Sequence, residues 1–253
     1  MALLEVCCGN LESVDAAVAG GARRIELCTD LERDGLTPPM AWLRAVKEQY
    51  PDLTVHVLIR PREGDFVYAP EEAGLMALQI EAALTFGADG IVIGGLTADG
   101  DIDVPLMEQL ISRISSFNLA TELDRSDLCH AGNDSHFFPG PARRVSITFH
   151  RAFDRCRHPF KALEQIIGLG CDRILTSGQA STAEEGVDML RKLHRRAKGR
   201  IIILPGGGVT PENAARILAL TGCTEIHASA SETVQGKKVT FSVKVSSLLS
   251  VLQ

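Results

Sequence analysis

Gly21-Ala-Arg-Arg-Ile25-Glu-Leu-Cys28 is the first of four copies of one pattern; the others are Gly87-Ala-Asp-Gly-Ile91-Val-Ile-Gly94, Gly170-Cys-Asp-Arg-Ile174-Leu-Thr-Ser177 and Gly222-Cys-Thr-Glu-Ile226-His-Ala-Ser229. In each, a glycine stands where a helix ends and an Ile-centred run starts a buried parallel strand. The spacing between copies leaves room for one more helix, one more strand and another helix. The copies therefore take the places of strands two, four, six and eight of an α/β fold, the (β/α)8 or TIM barrel.

The chain has 253 residues, 45% of them apolar. That length suits one such barrel of roughly 250 residues and predicts a single domain over 1–253. A formal net charge of −6 with no basic block points away from nucleic acid and toward a small substrate or ion. Met1-Ala-Leu-Leu-Glu5 offers no export signal and no apolar run reaches membrane-spanning length, so no membrane partner is expected. The predicted location is the cytoplasm, with a nuclear fraction left open. The seven cysteines, at 7, 8, 28, 129, 156, 171 and 223, are odd in number and spread along the chain, which predicts reduced thiols.

The other four strands fall at Leu3–Cys8, Leu53–Arg60, Val145–His150 and Arg200–Pro205. Seven helices are predicted near Leu11–Ala19, Pro38–Gln49, Glu71–Phe86, Val104–Ile114, Pro159–Leu169, Thr182–Arg196 and Pro211–Leu220, several opened by a proline. Phe117–Arg143 is polar and reads as an irregular insertion between the fourth helix and the fifth strand. The tail from Ser231 to Gln253 alternates through Val239, Phe241, Val243 and Val245 and is assigned neither to helix nor to strand.

Successive strand residues face opposite sides, so the apolar set that meets the helices fixes what looks inward. With Ile25, Leu27, Val55, Val57, Ile59, Ile91, Ile93, Val145, Ile147, Phe149, Ile174 and Ile226 outward, the lumen receives Glu5, Cys7, Arg24, Glu26, Cys28, His56, Arg60, Thr148, His150, Arg173, Ser177, Glu225, His227 and Ser229. So many ionisable groups form either a structural ion-pair network or a site. Strand-end position assigns Cys7, Cys28, Arg60, His150, Ser177, His227 and Ser229 to the mouth where barrels carry chemistry, and structural pairing to the deeper Glu5, Arg24, Arg173 and Glu225.

Four groups could carry chemistry. Arg60 and Arg62 could grip a carboxylate or phosphate, or be tied to Asp65 and neighbouring acids. His150 could act as general acid or base oriented by Asp154, with Arg151 beside it, or be an ordinary hydrogen-bonded strand-end histidine. Gly206, Gly207 and Gly208 after the seventh strand, with Ser229 after the eighth, could bind an anion, or the glycines could serve a tight turn. Cys7 and Cys28 end neighbouring strands about 4.8 Å apart. Two inward thiolates there could share a soft ion such as Cu(I), or the cysteines could be inert packing. Cys8, of opposite parity, is expected to pack on a helix.

Glu5-Val-Cys7, Arg24-Ile-Glu-Leu-Cys28, Gly35-Leu-Thr-Pro38, Ile59-Arg-Pro-Arg62 with Gly64-Asp-Phe66 and Tyr68, Thr148-Phe-His-Arg-Ala-Phe-Asp154, Arg173-Ile-Leu-Thr-Ser-Gly178 and Pro205-Gly-Gly-Gly208 together resemble the CutC copper homeostasis family. The resemblance implies a TIM barrel, a role in controlling cellular copper, a cytosolic location and a homo-oligomer. It also implies that Cys7 and Cys28 are the Cu(I) ligands. The chain departs from the family's pattern in the insertion 117–143, in Glu63 where a glycine is usual, and in the tail after Ser231.

The first functional expectation is thus a cytosolic barrel that binds Cu(I) through Cys7 and Cys28. The second is an enzyme on a small anionic or phosphorylated metabolite, held by Arg60, Arg62, Arg151, Gly206–Gly208 and Ser229, with His150 and Asp154 moving protons. A purely structural scaffold ranks last.

Overall fold

Asn10 starts the first helix by accepting the Ser13 N–H on its side chain at 2.8 Å, and the repeat glycine that follows lies in the left-handed region. The glycines that open the four copies, Gly21, Gly87, Gly170 and Gly222, have φ of +94°, +85°, +78° and +79°. The recurrent Gly is therefore what stops each helix and turns the chain into the next strand.

The computed structural model describes residues 2–128, 144–234 and 237–253. In chain order the elements are β1 (Leu3–Cys8), α1 (Leu11–Ala19), β2 (Arg24–Leu27), α2 (Met40–Gln49), β3 (Thr54–Leu58), α3 (Pro70–Thr85), β4 (Gly90–Ile93), α4 (Val104–Leu128), β5 (Ser146–Phe149), α5 (Pro159–Gly168), β6 (Arg173–Thr176), α6 (Val187–Ala197), β7 (Ile202–Pro205), α7 (Ala214–Thr221) and β8 (Glu225–Ala228). The eight strands pair in parallel in the order β7-β6-β5-β4-β3-β2-β1-β8. A parallel bridge between Gly206 and His227 closes the ring.

The core lies between strands and helices. Val6, Cys8, Ile25, Leu27, Val55, Val57, Ile59, Ile91, Ile93, Ile147, Phe149, Ile174 and Ile226 all join the buried cluster that meets the helices, as strand parity predicts. Cys8 donates its thiol to the Ser13 carbonyl of α1 at 3.5 Å.

Two segments correct the sequence reading. Residues 117–128, expected to be irregular, continue α4 to Leu128. Their polar composition hides good helix formers such as Ala120, Glu122 and Leu123. Asn118 accepts the Val145 N–H at 3.0 Å and so fixes the entry to β5. The remainder of the expected insertion, 129–143, with Cys129 and His130, lies outside the described residues. The tail resolves into an antiparallel hairpin, β9 (Ser231–Val234) with β10 (Lys237–Thr240), followed by the eighth barrel helix, α8 (Ser242–Val251).

Helix α8 buries Val245 and Leu248 and returns to the start of the barrel, where Leu252 accepts the Ala2 N–H at 3.1 Å. Gly20 makes this closure possible, because a Cβ there would stand 2.5 Å from Val245 Cβ and 2.7 Å from the Ser242 carbonyl. Gly20→Ala is expected to cost about 1–3 kcal/mol through overpacking. Urea unfolding measures it; an unchanged midpoint would show that α8 is not held there.

Candidate metal centre inside the barrel

The inward residues stack in two tiers. In the lower tier Arg24 reaches Glu5 at 2.8 Å and also pairs with Glu225, which Arg173 holds from the other side at 2.8 Å. Glu5 also meets His56 Nδ1 at 2.8 Å, and His56 Nε2 meets Ser146 Oγ at 3.2 Å. Burial works to raise the Glu5 acid, but His56 and Arg24 outweigh it and hold the carboxyl well below the usual carboxylate range. Gly90 leaves the room His56 needs, since a Cβ there would enter its ring. This tier is a network of ion pairs that, among the described residues, leaves Glu5 Oε1 and Arg173 Nη1 without a hydrogen-bond partner.

The upper tier carries the thiols. Strand register sets Cys7 beside Glu26, and Glu5 beside His227. Cys7 Sγ and Cys28 Sγ are 3.5 Å apart, and both cysteines are free and buried. They sit with Leu58, Val92 and Leu31 in an apolar cluster of their own. Leu31 comes from a 3-10 turn, Leu31–Arg33, laid over the strand ends. Lys238 of β10 ties that turn down by donating its N–H to Glu32 at 2.8 Å and its ammonium to the Leu31 carbonyl at 3.3 Å.

Hydrogen bonding to Cys28 and burial push the Cys7 thiol well above its ordinary value. The bond to Cys7 works to lower Cys28, but burial and Glu26 leave that thiol raised as well. Both sulfurs are therefore protonated at neutral pH, and a metal would displace their protons.

On the other side of Cys7, His227 Nε2 meets Glu26 Oε2 at 2.9 Å. Burial disfavours a charged imidazole there, yet Cys7 and Glu26 hold the His227 pKa well above the usual value. The donor atoms of Cys7, Glu26 and His227 all lie within 4.8 Å of one another. Strand parity turns Glu26 and His227 inward but does not mark them as ligands. The available signal was adjacency: β1 lies between β2 and β8, so inward residues of those strands flank Cys7.

The other candidates are distributed around the mouth. Arg60 is buried, donates to the Arg33, Gly35 and Gly64 carbonyls at 3.0–3.1 Å, and stacks on Phe66. Arg62 is engaged by Glu72 at 2.5 Å and Asp65 at 2.9 Å, and faces the Tyr68 ring. Arg60 thus joins the β2–α2 loop to its own β3–α3 loop, and Arg62 ties down its own loop.

His150 accepts the Ala152 N–H on Nδ1 at 3.1 Å, which leaves the proton of the neutral ring on Nε2. Asp154 does not reach it. That carboxylate instead takes Arg151 at 2.8 Å, Thr176 Oγ1 at 2.5 Å and the N–H groups of Ser177 and Gln179 at 3.1 Å. Arg151 lies against Gly207, where a Cβ would come within 3.2 Å of the guanidinium. In the glycine loop Gly206 donates to the Thr176 carbonyl, Gly207 accepts from Ala183 N–H and Gly208 from Asn213. Ser229 Oγ accepts from Ser231 Oγ at 2.8 Å. The structure thus gathers Arg151, Asp154, Ser177 and the glycine loop over β5–β7, and the thiols over β1–β2.

Burial and the Arg60 guanidinium push the His150 imidazole from 6.5 down to about 3. Between those values the unfolded chain binds more protons than the native one, so His150 stabilises fully above pH 6.5 and loses its contribution as pH falls toward 3. The slope reaches up to about 1.4 kcal/mol per pH unit. Urea unfolding at a series of pH values should show His150→Asn with a shallower acid loss than wild type; equal slopes would refute this.

A model of the CutC family matches residues 2–134 and 139–232 of this chain. A CutC family protein of Bacteroides thetaiotaomicron is 45% identical over 231 residues, covering 91% of this chain and 82% of the relative. The human protein named copper homeostasis protein cutC homolog is 42% identical over 231 residues, covering 91% of this chain and 74% of the relative. Among solved structures, CutC of Streptococcus agalactiae superposes with a TM-score of 0.76 at 29% identity, over 90% of this chain and 99% of that one. Among the described residues, no helix is long and apolar enough to cross a membrane.

Proposed function

The chain belongs to the CutC family, and from that premise we propose that it is a copper homeostasis protein that holds Cu(I) between Cys7 and Cys28 and buffers or delivers the ion in the cytoplasm. The observation that carries the reading is two free thiols 3.5 Å apart in a buried pocket walled by Leu58, Val92 and Leu31. Sulfur donors favour Cu(I) over harder ions. Leu58, Val92 and Leu31 keep water from one side of the sulfur pair, while Glu26 and His227 stand on the other side of Cys7. The donor set fits the ion, and the residues supply two sulfurs, a dry cover and a carboxylate–imidazole pair alongside.

Anaerobic titration with Cu(I) against a competing chelator tests this. Wild type should take about one Cu(I) per chain and Cys7→Ser/Cys28→Ser none; unchanged stoichiometry in the double variant would defeat the proposal.

One observation favours a second reading, an enzyme on a small anionic metabolite. Among the described residues, the buried Arg60 Nε, His150 Nε2 and Thr148 Oγ1 have no hydrogen-bond partner, and an oxygen-rich ligand would satisfy them. With its pKa down to about 3, His150 would serve there as a neutral donor rather than as a proton shuttle. Phosphate or sulfate soaked into crystals should settle on these groups if this reading holds, and leave them bare if it does not.

A further inference from the structure

Cys7 has a second set of neighbours that the sulfur pair leaves unused. Glu26 and His227 project into the lumen from the strands on either side of β1, and their donor atoms lie with Cys7 Sγ inside a 4.8 Å span. The Glu26 side chain is 5% exposed and that of His227 11%. We propose that Cys7 Sγ, Glu26 carboxylate and His227 Nε2 form a three-donor site for a divalent ion of the zinc class, sharing Cys7 with the sulfur pair.

One thiolate, one imidazole and one carboxylate are the donor types that a borderline ion of this class accepts. Three protein ligands with one position left open is a common arrangement for it. The distances also suit. An ion with bonds of about 2.0–2.3 Å keeps tetrahedral donors roughly 3.3–3.8 Å apart. His227 Nε2 and Glu26 Oε2, at 2.9 Å, need to part by a few tenths of an ångström, and donors up to 4.8 Å apart need to close by about 1 Å, movements that side-chain rotation supplies.

Charge decides between ion types. A thiolate and a carboxylate with neutral imidazole sum to −2, which a divalent ion cancels. A monovalent ion would leave a buried net charge, which is costly. At the sulfur pair two thiolates with Cu(I) also sum to −1, and there the softness of two sulfur donors rather than charge favours Cu(I), while the Glu26–His227 ion pair stays intact. The two modes exclude each other, since both need the Cys7 thiolate. The donor assignment stands without the copper proposal; only this competition rests on it.

Co(II), whose visible bands report tetrahedral sulfur-containing sites, is the probe. The full reduced chain is titrated anaerobically, alongside Cu(I) titrations of the same variants. Wild type should bind about one Co(II) per chain with intense bands that Zn(II) abolishes. Glu26→Gln and His227→Gln should each weaken Co(II) by at least about tenfold while keeping Cu(I). Cys28→Ser should keep Co(II) and lose Cu(I), and Cys7→Ser should lose both.

Absence of Co(II) binding by wild type, unchanged affinity and spectrum in Glu26→Gln and His227→Gln, or loss of Co(II) in Cys28→Ser would each overturn the assignment. Far-UV circular dichroism and thermal melts establish folding. Glu26→Gln/His227→Gln removes both charges together, so it decides the matter if a single variant unfolds; Cys28→Ser, which leaves the pair untouched, decides it if the double variant unfolds as well. Retention of Cu(I) by Cys7→Ser/Cys28→Ser would defeat the copper proposal alone and leave the Co(II) outcomes to judge the three-donor site.

Discussion

Arg24→Ala is expected to lower stability by about 3–5 kcal/mol, the cost of leaving buried charge without its partner. Arg24 is 4% exposed and joins Glu5 to Glu225 across the floor of the barrel. Its removal leaves Glu5 to His56 alone and Glu225 to Arg173 alone, with one more negative charge than positive if His56 is neutral. The native carboxylates would then take up protons at higher pH, so the loss should be larger at neutral pH than near pH 4. Replacing Arg24 together with Glu5, as Arg24→Met/Glu5→Gln, should recover most of the loss, because it leaves Glu225 balanced by Arg173 and avoids desolvating the other two ions. Chemical unfolding of the two variants is the measurement. A loss under about 1 kcal/mol for Arg24→Ala would show that the tier contributes little.

Cys7→Ser should abolish Cu(I) binding while leaving the barrel folded. The sulfur is one of two soft donors, and a hydroxyl is a hard, weakly acidic replacement, so affinity should fall by at least about a hundredfold. The structural cost should be small by comparison, about 1–2 kcal/mol, because the new hydroxyl meets polar neighbours in Glu26 and His227 instead of an apolar wall. Competition titration gives the first number and urea unfolding the second. A variant that keeps its copper and only loses stability would mean that Cys7 is packing.

The barrel was legible because its period is written locally. A glycine that stops a helix and an Ile-centred strand recur four times, and alternation within each strand tells lumen from core. Parity therefore placed Cys7 and Cys28 in the lumen and Cys8 against α1. What stayed hidden depends on closure of the chain over long distances. Glu26 and His227 are 201 residues apart and become neighbours of Cys7 only once β8 pairs with β1.

The tail misled for a different reason. Val239, Phe241, Val243 and Val245 alternate, yet the strand ends at Thr240 and the helix begins at Ser242. Val245 and Leu248, at helical spacing, are the residues that bury. The polar stretch after Phe117 lacked an apolar stripe, so its backbone helix left no periodic trace. Asp154 is near His150 in sequence, which suggests a pair, but the 3-10 turn Arg151–Arg155 carries it toward β6.

Copper held by two sulfurs inside the barrel has a signature of its own in X-ray absorption at the copper edge of the loaded, reduced protein. The expected spectrum is a Cu(I) edge with a first shell made of sulfur, lost together with the copper in Cys7→Ser/Cys28→Ser. A shell of nitrogen and oxygen in the wild-type protein, or the same spectrum in the double variant, would contradict it.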